Sequence, residues 1–577
     1  MDLINLFLAR RGYTPDYLAS INNSQHQELQ NVEKMASILK TIHDTKAQIV
    51  IMPDFDCDGI SAGTVGYAGL SQLGFNVNLY CPHPEQGYGI MIQDIDRVIE
   101  QFPNVKYIIS CDVGMTCYDA FFYAYQKGIQ VLITDHHEEL RHKPIPKCKI
   151  NGEDRIGTNK LYCETIVNPC QLSETYSLRD ICGAHVFWQV LNKYAEMYDT
   201  DNLNRINALR VFAGIGTIGD MMPLVKENRQ LIKDTTQMLK LIASQPLVDL
   251  EAMLVNTNPV YASSFIGLKI FIDELMNARL IRDIRDLDEK FLGWTLVPIY
   301  NSIKRMNLPM NIIFSVFFGD TNNIKKQAAD LAIGANQDRK SKIKLFTKTM
   351  LDSQQPYAPF IYLTDAPGGM IGLLANQLMR SSGVPTFVIN KSDLSGSGRS
   401  FNYFPVITKL QDTEFHVAGH EQAFGIRFDN MEQVDRFYDY LNQNVVPLIK
   451  LEAAKPKDDS DITLASGAVQ QATDGLLNPC DGIYFVKKSK MLKPFGMGFQ
   501  EPHIKIAVNS RTARFYTMGK ESQHLKIILP NQVQLIAWNH ANLIDQVSQS
   551  GEFNFLGNFS LNEFNGKTNL QMIGDID

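Results

Sequence analysis

Cysteine is scarce in this sequence and is never paired in the way that zinc sites or disulfide frameworks require. Only 9 of the 577 residues are cysteine, an odd number, and none of them forms a C-x-x-C pair. Cys163, Cys170 and Cys182 lie within one stretch, but their spacing fits no common zinc pattern. Neither a disulfide scaffold nor a zinc knuckle is indicated, and the expectation is buried thiols in a cytoplasmic protein.

Long hydrophobic runs and a strong excess of positive charge are also missing. No apolar run approaches the roughly 20 residues that a membrane-spanning helix needs, so no membrane partner is expected. The first residues, MDLINLFLARRGY, begin acidic, unlike a secretory signal. The formal net charge is −7, with 55 basic and 62 acidic residues. Any binding of nucleic acid must therefore use local basic patches.

Apolar runs alternate with helical patterns between about residues 47 and 225. The predicted strands are 49–52, 77–80, 105–111 and 129–134, and the segments between them have helical spacing. Strands that alternate with helices predict a parallel α/β sheet. We assign residues 1–240 to this domain, including an N-terminal helical extension.

The remaining sequence predicts three further parts. Residues 241–350 have a mostly helical pattern, and 351–452 return to alternating strands and helices. After a polar linker at 453–465, residues 466–577 contain short strands, with Asn565-Gly566 as a hairpin turn between the last two. The six predicted strands are 504–508, 513–517, 525–529, 533–538, 553–561 and 569–573. The predicted fold is α/β: a parallel-sheet domain and a smaller α/β domain joined by a helical segment, followed by a C-terminal β-barrel of OB type.

Acidic and histidine side chains occur at or just beyond the ends of predicted parallel strands, at four sites. In an α/β sheet, ligands bind at the carboxyl edge, so these side chains are expected to meet in one cleft. Carboxylates and imidazole suit Mn²⁺ or Mg²⁺, with histidine favouring Mn²⁺, and two such ions would neutralise the acids and bind a phosphoryl group. The residues are Asp54, Asp56, Asp58, Asp112, Asp135, His136, His137 and Asp220.

Each of these motifs also has a simpler interpretation. Asp112 alone is more often a helix N-cap, Asp58-Gly59 is compatible with a turn, and Asp-His-His with a surface loop. The metal interpretation is preferred because all four motifs occur together and in order.

The same motifs resemble those of the DHH phosphoesterases, and further motifs resemble the RecJ family of exonucleases. The DHH set is D-x-D-x-D-G, S-x-D-x-G, D-H-H and G-D-x-x-P. The RecJ-like set is GYGI (87–90), ICGAHVFWQV (181–190), TIGDMMPLVKENRQLI (217–232), NQDRK (336–340), SGSGRS (395–400), AGHEQAFGI (418–426) and PFGMGFQEP (494–502). The resemblance runs from about residue 45 to the end, and it identifies 351–452 with the DHHA1 domain.

The resemblance implies a role for each matching residue. Asp54, Asp56, Asp58, Asp112, His136 and Asp220 would bind two metal ions, Mn²⁺ or Mg²⁺. His137 would contact the scissile phosphate or assist proton transfer, Asp135 would orient the histidines, and His420 would meet the phosphate across the cleft. Ser397, Gly398 and Arg399 would hold the 5′-terminal phosphate. The further substrate contacts would be Gly419, His420, Arg305, Asn301, Tyr88 and Arg339.

Three positions depart from the RecJ pattern. Met52 stands where relatives carry histidine, Pro84 where they carry arginine, and Ile299 replaces the first arginine of P-R-I-N-A-A-G-R. Two losses among the expected phosphate contacts leave the strict requirement for a 5′-phosphate open.

The resemblance implies a single-stranded-DNA-specific 5′→3′ exonuclease that releases 5′-mononucleotides and acts as a monomer. A single-strand-binding protein or a helicase would be its protein partner. Two alternatives stay open: a phosphodiesterase or pyrophosphatase for short oligonucleotides or cyclic dinucleotides, and a non-catalytic Cdc45-like DNA-binding scaffold. The OB-like segment argues against the first alternative, and the intact metal motifs argue against the second.

Overall fold

The computed structural model describes residues 2–23, 27–81, 83, 89–138, 147–150, 153–156, 163–410, 412–453, 460–471, 473–564 and 567–576. The chain forms two compact units. The first contains 1–25, 223–230 and 457–577, and the second contains 26–222 and 231–456. Within the described ranges, no helix is long and apolar enough to cross a membrane.

The N-terminal helices are divided between the two units. α1 (Leu3–Arg10) and α2 (Pro15–Asn22) belong to the first unit, and α3 (Val32–Thr45) belongs to the second. The side chain of Asp2 caps α1, and that of Thr14 caps α2. Leu3 and Phe7 are buried in the core of the C-terminal strands. The sequence analysis placed these helices in the parallel-sheet domain, whereas the apolar face of α1 is covered by the C-terminal β unit.

A five-stranded parallel sheet forms the core of the second unit. Its strand order is β2-β1-β3-β4-β7, so the predicted parallel sheet is confirmed. The short strand β7 was not predicted, and β5 and β6 pair separately as an antiparallel hairpin. The elements are β1 (Gln48–Pro53), α4 (Cys57–Gln72), β2 (Val77–Leu79), α5 (Ile92–Gln101), β3 (Val105–Cys111), α6 (Tyr118–Gln126), β4 (Gln130–Thr134), β5 (Lys147–Ile150), β6 (Glu153–Ile156) and β7 (Cys163–Val167).

Helices follow as far as residue 352, and glycines let some of them pack closely. A Cβ atom at Gly66 of α4 would lie 2.1 Å from the ring of Phe187 in α7. The helices are α7 (Gly183–Tyr198), α8 (Leu203–Ala208), α9 (Arg210–Gly219), α10 (Lys226–Ser244), α11 (Leu247–Leu254), α12 (Pro259–Asn277), α13 (Glu289–Phe291), a π-helical turn (Leu292–Leu296), α14 (Val297–Arg305), α15 (Asn311–Phe318) and α16 (Asn322–Asp352). Single 3₁₀ turns lie at Thr200–Asn202 and Ile284–Asp286.

A second sheet completes this unit, with strand order β11-β12-β10-β9-β8. β8 and β9 are parallel and the other pairs are antiparallel. Phe387, Phe424 and Phe437 fill its core. The elements are β8 (Ile361–Thr364), α17 (Gly368–Ser382), β9 (Thr386–Asn390), β10 (Ser395–Arg399), α18 (Val406–Leu410), β11 (His416–Gly419), β12 (Ala423–Arg427), α19 (Met431–Asn444) and α20 (Val446–Ala453).

The first unit is built on an eight-stranded sheet of order β14-β13-β15-β19-β20-β18-β17-β16. All six strands predicted after residue 500 are present. β19 and β20 pair as far as Phe564 opposite Lys567, and the predicted turn at 565–566 lies outside the described residues. The elements are β13 (Ile462–Ala465), β14 (Gly475–Leu476), α21 (Pro479–Ser489), β15 (Ile504–Asn509), β16 (Arg514–Met518), β17 (His524–Ile528), β18 (Gln534–Ala537), α22 (Ile544–Gln549), β19 (Glu552–Phe564) and β20 (Lys567–Ile576), with 3₁₀ turns at Lys490–Leu492 and Ala541–Leu543.

Arg229 joins the segment 223–230 to the rest of the first unit. Its side chain is 2% exposed and lies over the ring of Phe499, with its guanidinium carbon 4.6 Å from the ring centroid. The guanidinium donates to Asn22 Oδ1 at 3.0 Å and to the Pro494 carbonyl at 2.7 Å. It also donates to the carbonyls of Leu492 and Lys493. One buried side chain thus satisfies four acceptors from two other segments.

Replacing Arg229 by methionine should destabilise the first unit by about 3–5 kcal/mol, because the buried acceptors lose their donor. Thermal unfolding and limited proteolysis of residues 457–577 measure this. Arg285→Met, at a side chain that is 78% exposed, is the control and should change stability by less than about 0.5 kcal/mol. Equal effects of the two substitutions would contradict the anchoring role of Arg229.

Candidate metal centre

The first acidic motif forms the loop between β1 and α4. Asp56 is the N-cap of α4, and its Oδ1 accepts from the amides of Asp58 at 2.9 Å and Gly59 at 3.0 Å. The side chain of Asn301, in α14, accepts from the Cys57 amide at 2.9 Å. A Cβ atom at Gly59 would lie 2.4 Å from the Asp54 carbonyl oxygen. Three contacts therefore fix this loop: the Asp56 cap, the side chain of Asn301, and the close approach that Gly59 allows.

The carboxylate of Asp58 lies against the N-terminus of α7. It accepts from the amides of Gly183 at 2.5 Å and Ala184 at 3.1 Å. Free amides and the dipole at a helix N-terminus favour a negative charge. A Cβ atom at Gly216 of α9 would lie 2.1 Å from Asp58 Oδ1. The glycine-rich motif at 181–190 thus holds an acidic side chain, a role that the sequence analysis did not assign.

Asp112 follows β3 and is not a helix N-cap. Its φ angle is 62°, in the left-handed region that non-glycine residues rarely adopt. It is 1% exposed, and within the described part of the chain neither carboxylate oxygen has a hydrogen-bond partner. A buried carboxylate without donors is costly unless a cation is close. Asp112 is therefore suited to bind a cation.

Asp135 organises the Asp-His-His motif after β4. Its Oδ1 accepts from the amides of His136 at 2.7 Å and His137 at 3.1 Å, and contacts His137 Nδ1 at 2.8 Å. Its Oδ2 accepts from the Met115 amide at 2.9 Å. With both oxygens engaged, Asp135 orients the two histidines.

The imidazole of His136 faces the acidic side chains. Its Nε2 lies 3.1 Å from Asp112 Oδ1, 3.1 Å from Asp220 Oδ2 and 3.8 Å from Asp58 Oδ2. Asp220 was predicted to follow a parallel strand, but it follows the last residue of α9 and caps that helix at its C-terminus. The apolar run before it forms a helix packed on α4 and α7 instead of a sheet strand. Nε2 is buried and has no hydrogen-bond partner among the described residues.

These side chains form three overlapping groups whose ligand atoms lie within 4.8 Å of one another. The donors are carboxylate oxygens and imidazole nitrogens, and several are buried without partners, so the site fits a divalent cation such as Mn²⁺ or Mg²⁺. All six predicted ligands and His137 are brought together. The groups are Asp58, Asp112, His136 and Asp220; Asp54, Asp56 and Asp112; and Asp112, His136 and His137.

Burial and mutual repulsion shift the pKa values of the acids. Burial and then Asp56 raise the pKa of Asp54 to about 8, and burial and then Asp220 raise that of Asp56 to about 6. Burial also raises the pKa of Asp112 well above its usual value. Although burial opposes it, the hydrogen bond with Asp135 raises the pKa of His137 to about 9. The acids therefore need a cation to ionise together, whereas His137 carries a proton at neutral pH.

A group of arginines lies beside this acidic cluster. Burial lowers the pKa of Arg339 and Arg399, and the positive charge of Arg305 lowers both further. The pKa of Arg305 is also lowered by burial, while Asp56 opposes the shift. In the described chain, none of the three forms an ion pair with a carboxylate. Cations that repel one another without a counter-charge favour an anionic ligand.

The predicted phosphate loop lies in β10, next to these arginines. Arg399 Nη1 donates to Ser397 Oγ at 3.1 Å and to the Gly398 carbonyl at 2.7 Å. A Cβ atom at Gly372, in the first turns of α17, would lie 2.9 Å from Arg399 Nη2. A Cβ atom at Gly398 would lie 2.3 Å from the Phe424 ring. The loop is therefore a strand that packs tightly on both sides, rather than a flexible turn.

Among the other predicted substrate contacts, Asn301 touches the acidic loop, and the rest stay predictions. Gly419 and His420 are exposed where β11 meets β12, and no group of potential metal ligands includes His420. Asn301 uses its Oδ1 to hold the acidic loop. Tyr88 and Pro84 lie outside the described residues. Met52 and Ile299, where relatives carry polar side chains, are buried in apolar cores at 2% and 0% exposure.

Two family models match the chain. The model described as the DHH family, N-terminal domain, matches residues 48–215, and that described as the RecJ OB domain matches residues 480–575.

Curated relatives and a solved structure are similar over most of the chain. Single-stranded-DNA-specific exonuclease RecJ of Bacillus subtilis is 24% identical over 95% of this chain, and the chain spans 63% of that relative. The protein of the same name from Haemophilus influenzae is 24% identical over 95% of this chain and 90% of its own. The crystal structure of RecJ with Mn²⁺ from Thermus thermophilus shares the fold, with a TM-score of 0.69 at 19% identity, and covers 99% of this chain and 75% of its own.

The metal-free protein should lose stability between about pH 4, the unfolded pKa of an aspartate, and about pH 8, the highest folded pKa of the two acids concerned. Asp54 and Asp56 have folded pKa values of about 8 and about 6, above the roughly 3.9 of an unfolded aspartate. Their contribution to the free energy of unfolding is complete below the unfolded pKa, and it is lost as the pH rises through the folded pKa values. Thermal unfolding in EDTA measures the slope. Asp54→Asn should flatten the slope, and Mn²⁺ should raise the melting temperature most at high pH. An unchanged slope in Asp54→Asn would contradict this assignment.

Gly216→Ala should weaken metal binding, because the added methyl group collides with the Asp58 carboxylate. Calorimetric titration with Mn²⁺ should show at least a roughly tenfold loss of affinity, in the range found for disturbed metal-ligand support. Gly334→Ala is the control: a Cβ atom there meets nothing within 4 Å in the middle of α16. It should leave metal affinity unchanged and add about 0.5–1 kcal/mol of stability. Equal metal affinity in both variants would contradict the proposed constraint.

Proposed function

We propose that this RecJ-like protein of the DHH superfamily is a metal-dependent exonuclease that hydrolyses single-stranded DNA from its 5′ end and releases 5′-mononucleotides. The observation that carries the proposal is the position of Arg305. It interacts with Asp56 of the acidic cluster and with Arg339 and Arg399 of the arginine group. A site for cations and a site for an anion are therefore neighbours, as a nuclease that recognises a terminal phosphate requires.

The acidic cluster is proposed to hold two divalent ions, Mn²⁺ or Mg²⁺. When bound, two such ions supply a hydroxide nucleophile and stabilise the attacking and leaving oxygens of a phosphodiester. The ligands would be Asp54, Asp56, Asp58, Asp112, His136 and Asp220.

The protein's own groups orient the reactants around those ligands. The α7 amides hold Asp58, and Asp135 holds the Asp-His-His loop. His137 is protonated at neutral pH and can donate a hydrogen bond to a phosphate oxygen or deliver a proton. Because Asp135 contacts Nδ1 of His137, Nε2 is the ring nitrogen proposed to face the substrate.

The arginine group is proposed to bind the 5′-terminal phosphate and so to set the polarity of digestion. Ser397 and Arg399 would make the direct contacts, with Arg305 and Arg339 adding positive charge. Because Gly398 has no side chain, β10 packs close to the ring of Phe424. This packing positions Ser397 and Arg399, the residues on either side of Gly398. Gly419, His420 and Tyr88 remain proposed substrate contacts that rest on the resemblance alone.

A polymeric substrate is favoured by the β unit that follows residue 457. OB-type domains commonly bind single strands by stacking and by contacts to the phosphate backbone. We propose that single-stranded DNA is the substrate, that the enzyme works as a monomer in the cytoplasm, and that a single-strand-binding protein or a helicase presents the strand.

Asp112→Asn should abolish digestion of a 5′-phosphorylated single strand in Mn²⁺. Strands with a 5′-phosphate, a 5′-hydroxyl or a blocked 3′ end, separated on a gel, report the polarity. A blocked 3′ end should not protect the wild-type substrate. Digestion that ignores the 5′ end but stops at a blocked 3′ end would refute the proposed direction.

Arg399→Gln should raise KM for the 5′-phosphorylated strand by about 10- to 100-fold, because one charge-assisted hydrogen bond to the phosphate is lost. It should also reduce the preference of the enzyme for a 5′-phosphorylated strand over a 5′-hydroxyl strand. Arg380→Gln, at an exposed arginine of α17, is the matched control and should change neither. If both variants keep the wild-type preference, β10 does not bind the terminal phosphate.

A further inference from the structure

Trp294 is the most exposed of the large aromatic side chains in the described chain, at 75% exposure. It lies in the π-helical turn between α13 and α14, where Leu292 and Leu296 are almost completely buried. The turn is thus anchored by its leucines, and its indole is held in solvent. π-Helical turns often mark functional sites, and no role has so far been assigned to this one.

The turn packs beside the metal centre. A Cβ atom at Gly293 would lie 3.6 Å from Ile218, two residues before the predicted metal ligand Asp220. Met221, directly after that ligand, donates its amide to the Ile218 carbonyl and is 69% exposed, with a φ angle of 53°. Two large apolar side chains, Trp294 and Met221, therefore project into solvent around one turn at the edge of the acidic cluster.

α14 relates this tryptophan to the rest of the site. Trp294 lies in the π-helical turn that leads into α14, and Asn301 and Arg305 lie one helical turn apart on one face of α14. Asn301 contacts the acidic loop, and Arg305 lies in the arginine group. At about 1.5 Å of rise per residue, Trp294 lies about 10 Å before Asn301 along the helix axis, and Arg305 lies about 6 Å after it. Along this axis, Trp294 and Arg305 therefore lie on opposite sides of the residue that contacts the acidic loop.

We infer that Trp294, supported by Met221, is a stacking platform for a nucleobase of the single strand on the 3′ side of the cleaved bond. The inference rests on the proposed function, which places the 5′-terminal phosphate at the arginine group. A strand whose 5′ end lies there and whose cleaved phosphate lies at the acidic loop continues toward Trp294. The distance of about 10 Å corresponds to about three stacked nucleotides at 3.4 Å each. Stacking on an indole accepts any base, as a non-specific exonuclease requires.

A length series of 5′-phosphorylated oligonucleotides tests the platform. Trp294→Ala should leave kcat/KM for a dinucleotide unchanged and lower it about 5- to 100-fold for strands of six nucleotides or more, mainly through KM. Trp294→Phe should restore most of the loss, because phenylalanine keeps a ring face. Leu345→Ala, at a 63% exposed apolar side chain of α16, is the control and should behave as wild type.

Two outcomes would overturn the inference. Equal loss on the dinucleotide and on long strands would make Trp294 a structural residue of α14. Wild-type activity of Trp294→Ala on long strands would show that DNA does not use this surface, leaving it as a docking site for a protein.

Fluorescence separates this inference from the proposed function. In an Asp112→Asn background, single-stranded DNA of six nucleotides should quench tryptophan emission, and Trp294→Phe should remove most of that quenching. If the wild-type protein cleaves no DNA, the proposed function fails, and the quenching experiment still decides whether Trp294 binds a strand. If Trp294→Phe leaves the quenching unchanged, the platform is refuted whatever the activity.

Discussion

Repulsion among buried carboxylates is the constraint on which this structure depends. Five aspartates lie within a few ångströms of one another, and burial makes their ionisation still more costly. The surrounding elements hold them despite that cost: α7 directs two amides at Asp58, α4 is capped by Asp56, and Asp112 has a left-handed backbone. Because these devices position the charges without neutralising them, the missing charge has to come from bound cations.

α14 connects the acidic cluster with the two features that would handle a polymer. One of its side chains, Asn301, binds the backbone of the acidic loop, and its last residue belongs to the arginine group. The turn before it presents Trp294. A helix keeps these groups at constant spacing, so under the proposed function recognition of a strand end and placement of the cleaved bond would depend on the same element. α17 approaches the end of α14 closely because Gly369 has no side chain: a Cβ atom there would lie 2.8 Å from the backbone of Arg305.

Two of the three positions that depart from the RecJ pattern lie in the described structure, and both are buried. Met52 is 2% exposed and belongs to an apolar core, and Ile299 is 0% exposed. The arginine group retains Arg305, Arg339 and Arg399 without carboxylate partners among the described residues. Its positive charge is therefore supplied from α14, α16 and β10 together, and three arginines remain although Ile299 replaces one in α14.

The sequence alone determined the parallel sheet, the six C-terminal strands and the residues that form the acidic cluster, because alternating apolar runs and acidic motifs are local patterns. It could not show that α1 packs on the C-terminal strands, since the partner of an apolar face is a long-range choice. It also missed the α7 amides on Asp58, because backbone donors leave no trace in residue type. Tertiary structure alone decided that Trp294 is exposed in the turn before α14, because the exposure of a side chain depends on how distant segments pack.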